Sequence, residues 1–361
     1  MKRIKLEDLD FSFLPPHLAK ERKEKLEKVL KSLKNINWPI KAIVLGGGYK
    51  HKELTSTKNS ISSDIDLYIF SDFLPFFWKK LLKTQKELNQ PDYFFHYRGV
   101  IPFFLKKSKT FWAYRLKKEG IVLAGDKNIL QKIQAKTDNL SKIEAIRILF
   151  QNLVVWLKLA EISLSREKIS SDLILRSYLN IGESYLVFAG KLAPSYKERL
   201  GKIEEVVREF NLEKELIEKI KAGYRAKIIP SETKKEKISL SKAKKDCLAA
   251  INHLFFLYLK KDVSLENKLD ILGREIKPKW LFNLVFFWSL RNLKEVKPKF
   301  FPIIFQFKIT DLWKMSVYYE KKEKEKLFKI LEKYFSIKKF SDIILIRFFE
   351  FYPFSSLIEI N

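Results

Sequence analysis

Two carboxylates separated by one residue, Asp64 and Asp66 in Ser63-Asp64-Ile65-Asp66-Leu67, stand downstream of the triplet Gly46-Gly47-Gly48. The run Ile40, Ala42, Ile43, Val44, Leu45 is short, apolar and ended by the glycines, so it reads as a buried strand entering a tight turn. Ile65, Leu67, Tyr68, Ile69 and Phe70 read as a second strand. Side chains alternate along a strand, so Asp64 and Asp66 share one face, about 6–7 Å apart. Two unit charges at that distance repel by about 2–3 kcal/mol at an effective dielectric of about 20. A divalent cation turns the repulsion into attraction. Mg²⁺, or Mn²⁺, suits hard carboxylate oxygens and completes its shell with water and substrate phosphates. The glycines let backbone amides approach those phosphates closely. Each element alone has a plainer reading: a flexible turn, and charges that guard a strand edge. Their order, strand, glycine turn, then Asp-x-Asp strand, points to a phosphate-and-metal site.

The residues Gly47-Gly48-Tyr49-Lys50-His51-Lys52-Glu53-Leu54 and Ser63-Asp64-Ile65-Asp66-Leu67 resemble the signatures of the DNA polymerase β-like nucleotidyltransferase superfamily. The match is nearest to the nitrogen-signalling uridylyltransferases and their uncharacterised relatives. The resemblance implies a glycine turn that holds a nucleoside triphosphate and aspartates that bind divalent metal. Carried over by residue, Gly47, Gly48 and Ser63 are nucleotide-binding candidates, and Asp64 and Asp66 are metal-binding and catalytic candidates. Lys50, His51 and Lys52 stand where the family pattern has Gly, Arg and Gly, and the loop from Thr55 to Ser62 lengthens the spacing. Lys50 and Lys52 supply charge where the family supplies backbone. Glu53 and Ser63 match the pattern and also suit an ordinary polar turn.

The resemblance further implies a third strand bearing another carboxylate. The candidate strand, Tyr93 to Val100, places Asp92, Phe94, His96 and Arg98 on one face, with no acid in its middle. Asp92 is the acidic option, and His96 or Arg98 would otherwise face the site. His96 has the plainer reading of a satisfied histidine among aromatics. In Gly120-Ile121-Val122-Leu123-Ala124-Gly125-Asp126 a strand ends in a glycine turn, and Asp126 is expected to cap a helix beginning near Lys127.

The elements that must position these residues are a helix from about Pro16 to Leu33, the two strands, a helix near Pro75 to Leu88, the strand around Phe94, a helix around Trp112 and the strand around Val122. From Lys142 onward the pattern turns helical. Ile143, Ile146, Leu149, Phe150, Leu153 and Leu157 recur at three- and four-residue intervals. Similar stripes run through 173–186, 243–259, 281–293 and 327–335, and the segment Lys227 to Lys242 reads as a surface loop or hinge. No fixed-period repeat is present. The expected fold class is α+β: a small mixed-sheet nucleotidyltransferase-like domain over 1–138, then a mostly helical domain over 139–361 that helps to bind an acceptor.

The chain of 361 residues is long enough for two cores. Its lone cysteine, Cys247, excludes an intramolecular disulfide framework, there is no zinc constellation, and the thiol is expected to be buried. Met1-Lys2-Arg3-Ile4-Lys5 is basic but precedes Glu7, Asp8 and Asp10, so no signal peptide is read and a cytoplasmic location is expected. Trp280 to Leu290 is too short to span a bilayer and reads as a core helix. With Phe300, Phe301, Ile303, Ile304 and Phe305 behind it, interfacial membrane contact or a greasy acceptor pocket is the other reading.

The net charge is +28, from 71 Lys and Arg against 43 Asp and Glu, which invites a polyanion. Much of it is interleaved with glutamate, as in Lys20-Glu21-Arg22-Lys23-Glu24-Lys25, the look of a solvated helix face. Nucleic acid therefore stays open as a partner without any recognised binding motif. The best local candidate is Lys106, Lys107 and Lys109 with Trp112, Tyr114 and Arg115, whose plainer reading is an amphipathic helix with its aromatics in the core. The expected activity is transfer of a nucleoside monophosphate from a triphosphate to an acceptor that is a small molecule, protein or RNA. The alternative is a catalytically degenerate module that binds nucleotide or polyanion.

Overall fold

The computed structural model describes residues 9–34, 39–54, 65–72, 83–84, 95–100, 102–106, 108–164, 167–228, 238–276, 283, 296–297, 299, 305–337 and 340–355. Ser63, Asp64, Asp92, Lys107, the loop 55–62, most of 75–88 and most of the apolar run 280–304 lie outside them. The fold is α+β, a small mixed sheet and many helices. The chain divides into two compact units: Met1–Asn139 with Leu192–Lys202 and Tyr224–Lys234, and Leu140–Lys191 with Ile203–Gly223 and Lys235–Asn361.

In the first unit four strands, β1 (Ala42–Leu45), β2 (Ile65–Phe70), β3 (Phe95–Val100) and β4 (Ile121–Gly125), form a sheet of order β3-β2-β1-β4. β1 is antiparallel to both β2 and β4, and β2 is parallel to β3. Helix α1 (Pro16–Lys34) buries Leu18, Leu26, Val29, Leu30 and Leu33, spaced to fall on one stripe. That stripe joins Ile43, Leu45, Leu67 and Ile69 in a single core, each such side chain contributing about 1.5–3 kcal/mol.

The opposite face carries Val44, Asp66 and Tyr68, by the two-residue alternation. Tyr68 packs with its ring tilted against Trp112, centroids 5.2 Å apart, on α3 (Phe111–Glu119), which follows the short α2 (Pro102–Lys106). Thr110 caps α3 through a 3.2 Å bond from the Ala113 amide.

No helix follows β4 at Asp126. Asp126 Oδ1 accepts the Asn128 amide at 2.9 Å, and three-residue turns close at Ile129, Gln131 and Ile133. Ile129, Leu130 and Ile133 are all buried, so the segment coils tightly to sink three apolar side chains within five positions. Asp126 is thus the acceptor of an Asx turn rather than a helix cap.

The second unit is helical. Its first helix, α4 (Lys142–Gln151), buries Ile143, Ile146, Leu149 and Phe150, and runs through a π-turn (Asn152–Trp156) into α5 (Leu157–Ile162). At the π-turn, buried Asn152 donates to the Ser177 carbonyl at 3.0 Å and accepts from Asn180 at 3.2 Å. α6 (Glu167–Phe188) packs against α4 and α5, and α9 (Leu240–Leu259) against α4 and α6. Between them in sequence run α7 (Tyr196–Phe210) and α8 (Lys214–Ile228). The remaining described helices are α10 (Leu265–Glu275), α11 (Ile309–Glu320), α12 (Lys324–Tyr334) and α13 (Asp342–Ser355). Trp313 of α11 stacks on Phe150 at 4.9 Å. No described helix is long and apolar enough to cross a membrane.

Candidate functional site

β1 ends at Leu45, which pairs with Leu67, and the Gly46 amide then donates to the Asp66 carbonyl at 2.9 Å. The glycine turn therefore opens directly beside Asp66. Asp66 is half-buried between the fully buried Ile65 and Leu67, so its carboxylate belongs to the face away from the α1 core. Asp64, two residues earlier, and Ser63 lie outside the described residues.

Within the turn the glycines have different reasons to be glycine. Gly47 has φ +82, and nothing lies within 4 Å of where a Cβ would sit, so it offers bare backbone to open space. At Gly48 a Cβ would lie 2.2 Å from the Glu53 carbonyl oxygen, and the Gly48 carbonyl accepts the Glu53 amide at 2.9 Å. Close packing of the loop on itself thus requires Gly48.

Lys52 adopts φ +59, the left-handed conformation that glycine reaches most easily. Its ammonium pairs with Asp10 at 2.7 Å, and that hydrogen bond holds the Asp10 carboxyl well below the usual carboxylate range. Lys50 is exposed on the other side of the turn. His51 is half-buried, and its Nε2 has no hydrogen-bond partner among the described residues.

Glu53 accepts the Tyr196 amide at 2.8 Å and the Lys197 amide at 3.0 Å. These are the first amides of α7, so the carboxylate caps that helix and complements its dipole. No sequence signal joins residues so far apart in the chain. Behind it lies a buried charge cluster. Arg199 donates to Glu119 at 2.6 Å and to the Ala193 and Pro194 carbonyls at 2.7 and 2.8 Å. Arg115 holds the same carboxylate through bonds of 2.8 to 3.1 Å and donates to the Tyr196 hydroxyl at 2.9 Å. Burial alone would raise the Glu119 carboxyl, but the two guanidinium groups outweigh it and the net shift is downward.

Part of the basic and aromatic stretch, its aromatics and Arg115 on α3, is engaged in packing, while Lys106 is exposed. Phe111 and Tyr114 are buried, Tyr114 donates to the Leu192 carbonyl at 3.2 Å, and Arg115 is bound to Glu119.

In the parallel β2–β3 ladder His96 is the register partner of Asp66, and Arg98 that of Tyr68. A histidine thus holds the position beside Asp66 on the third strand. Among the described residues, no three histidine, cysteine or acidic side chains gather as a metal site. As a donor, Asp66 has the chemistry for Mg²⁺ or Mn²⁺: a hard carboxylate oxygen at a strand end beside open backbone.

Cys247 is fully buried in the second unit, bonded to the Leu149 carbonyl and Asn152 at 3.5 Å each, and burial pushes its thiol up to about 12. His253 bonds the Tyr185 hydroxyl through Nδ1 at 3.0 Å, and burial lowers its pKa.

Comparison with protein-family models, curated proteins and solved structures finds no match to the chain.

Proposed function

We propose that the protein is a metal-dependent nucleotidyltransferase that moves a nucleoside monophosphate from a nucleoside triphosphate to an acceptor and releases pyrophosphate. The observation that carries this reading is the Gly46 amide bonded to the Asp66 carbonyl, which joins the glycine turn to the Asp-x-Asp strand at one end of the sheet. In this reading Asp64 and Asp66 hold Mg²⁺ or Mn²⁺, which would neutralise phosphate charge and stabilise the developing charge of the transition state. Gly47 and Gly48 present backbone amides to the triphosphate, Ser63 adds a hydroxyl, and Lys50 and Lys52 add positive charge. Lys52 must leave Asp10 to do so, which an exposed pair permits at small cost. A cytoplasmic location belongs to the same proposal.

One observation favours the second reading, a module that binds nucleotide or polyanion without turnover: His96 stands in register with Asp66 where an active member of the family carries a further carboxylate.

The test is pyrophosphate release with each triphosphate and Mg²⁺ across an acceptor panel, alongside calorimetric binding. Transfer that disappears in Asp64→Ala/Asp66→Ala supports the enzyme. Metal-dependent binding without any pyrophosphate supports the module, and transfer undiminished in the variant excludes this site.

A further inference from the structure

Beyond β1, on the β4 side of the glycine turn, the sheet end carries a cleft of about 550 Å³ lined by Lys50, Lys117, Lys118, Lys127 and Gln131 around an apolar floor at Val122. Its four lysines come from three separate places: the glycine turn, the last turn of α3, and the turn after β4. Among the described residues, no acidic side chain lines it.

Elsewhere lysines are commonly neutralised, as Lys25 is by Glu21, Lys41 by Asp72, Lys132 by Asp126 and Lys221 by Glu204. Lys50, Lys118 and Lys127 have no carboxylate partner among the described residues. Lys117 is anchored by carbonyls instead, donating to Ile133 at 2.6 Å and Ala135 at 3.4 Å, which fixes its charge in place while leaving donor capacity. Burial first, and the positive charges of Lys118 and Lys136 after it, lower the Lys117 pKa. A helix C-terminus favours cations and so accounts for Lys117 and Lys118. It does not account for Lys50 or Lys127 converging on the same space.

We propose that this cleft binds a run of adjacent phosphate groups, taken either from a free oligophosphate or from a nucleic-acid backbone. Several converging ammonium groups replace the counterions of closely spaced phosphates. Among the described residues no aromatic ring lines the cleft, so they offer no stacking surface for bases, and the cleft reads phosphates without reading sequence. The inference does not depend on metal binding or catalysis at Asp64 and Asp66, and its test leaves Lys50 untouched.

The full chain is titrated with inorganic tripolyphosphate by calorimetry and with a labelled oligothymidylate by anisotropy, at about 50 and about 200 mM salt. The same is done for Lys118→Glu/Lys127→Glu, for Asp66→Asn, and for a charge-matched control, Lys20→Glu/Lys23→Glu on α1. Binding of at least one probe, weakened about tenfold or more in the cleft variant and within about twofold of wild type in the other two, is expected. For the oligothymidylate, the salt slope should flatten by about 1.4 on a log–log plot. Tripolyphosphate binding alone identifies a small oligophosphate as the source, and oligothymidylate binding alone identifies the backbone. The proposal is overturned if wild type binds neither probe, if the cleft variant binds undiminished, or if the control loses as much. Circular dichroism and thermal melting establish that each variant is folded. Loss of transfer in Asp64→Ala/Asp66→Ala with oligophosphate binding intact would separate the two sites.

Discussion

Arg199, completely buried, donates to Glu119 across 80 positions of sequence, and its Nε and Nη2 also donate to the backbone carbonyls of Ala193 and Pro194. Removing the acid strands a buried guanidinium, whereas removing Arg199 leaves Glu119 still held by Arg115. Glu119→Ala is expected to cost about 3–5 kcal/mol in urea unfolding, and Arg199→Met clearly less. Equal costs would show that Arg115 does not share the carboxylate.

The same pair gives a pH dependence. The folded Glu119 carboxyl lies below its unfolded value of about 4.3, so its contribution is fully present above that pH and is lost as pH falls through the folded value. Urea midpoints should hold between about pH 7 and 5 and decline below about 4, with a shallower decline in Glu119→Gln. An identical acid profile in that variant would assign the decline to other carboxylates.

The glycine turn should respond to side chains in rank order. Gly47→Ala meets open space and pays only for its positive φ, about 1–2 kcal/mol. Gly48→Ala carries no positive-φ cost but drives a methyl into the Glu53 carbonyl and should cost more. Lys52→Gly relieves a left-handed lysine while losing the exposed Asp10 pair, so the two effects oppose and it should change stability less than Gly47→Ala does. Thermal melts of the three variants check the order.

Glu53→Ala removes the cap of α7 and should cost about 0.5–2 kcal/mol, with Glu53→Gln retaining part of it through its amide oxygen. Chemical denaturation of both variants reads this directly. No difference from wild type in either would mean that water caps those amides equally well.

Burial pushes the Cys247 thiol up to about 12, so it is held as the unreactive thiol at pH 7, and it is shielded from solvent. Reaction with a thiol-specific disulfide reagent should be negligible in the native protein and stoichiometric in denaturant. Rapid native labelling would place the thiol at the surface.

Much of this arrangement was legible in the residues. The apolar period of α1, the paired runs of β1 and β2, and the stripe from Ile143 to Leu157 follow from local pattern, because burial on one face imposes a spacing that the chain itself displays. The glycine turn beside Asp66 was legible for the same reason. Asp126 misled because an Asx turn and a helix cap share their first hydrogen bond, and only the burial of Ile129, Leu130 and Ile133 separates them. Glu53 capping α7, Arg199 on Glu119, and four lysines meeting at one cleft join residues far apart in sequence, and no local period encodes such meetings.

The sheet-bearing unit is not finished when its last strand has been made. Glu119 is synthesised long before Arg199, and Glu53 long before the amides it caps at Tyr196 and Lys197. The unit is therefore complete only once Leu192–Lys202 and Tyr224–Lys234, which follow every strand in the sequence, have joined it. A gene fragment cut at Asn139 would release a strand-complete but unlocked polypeptide, so expression of the isolated sheet calls for grafting the later segment back on rather than for a shorter clone.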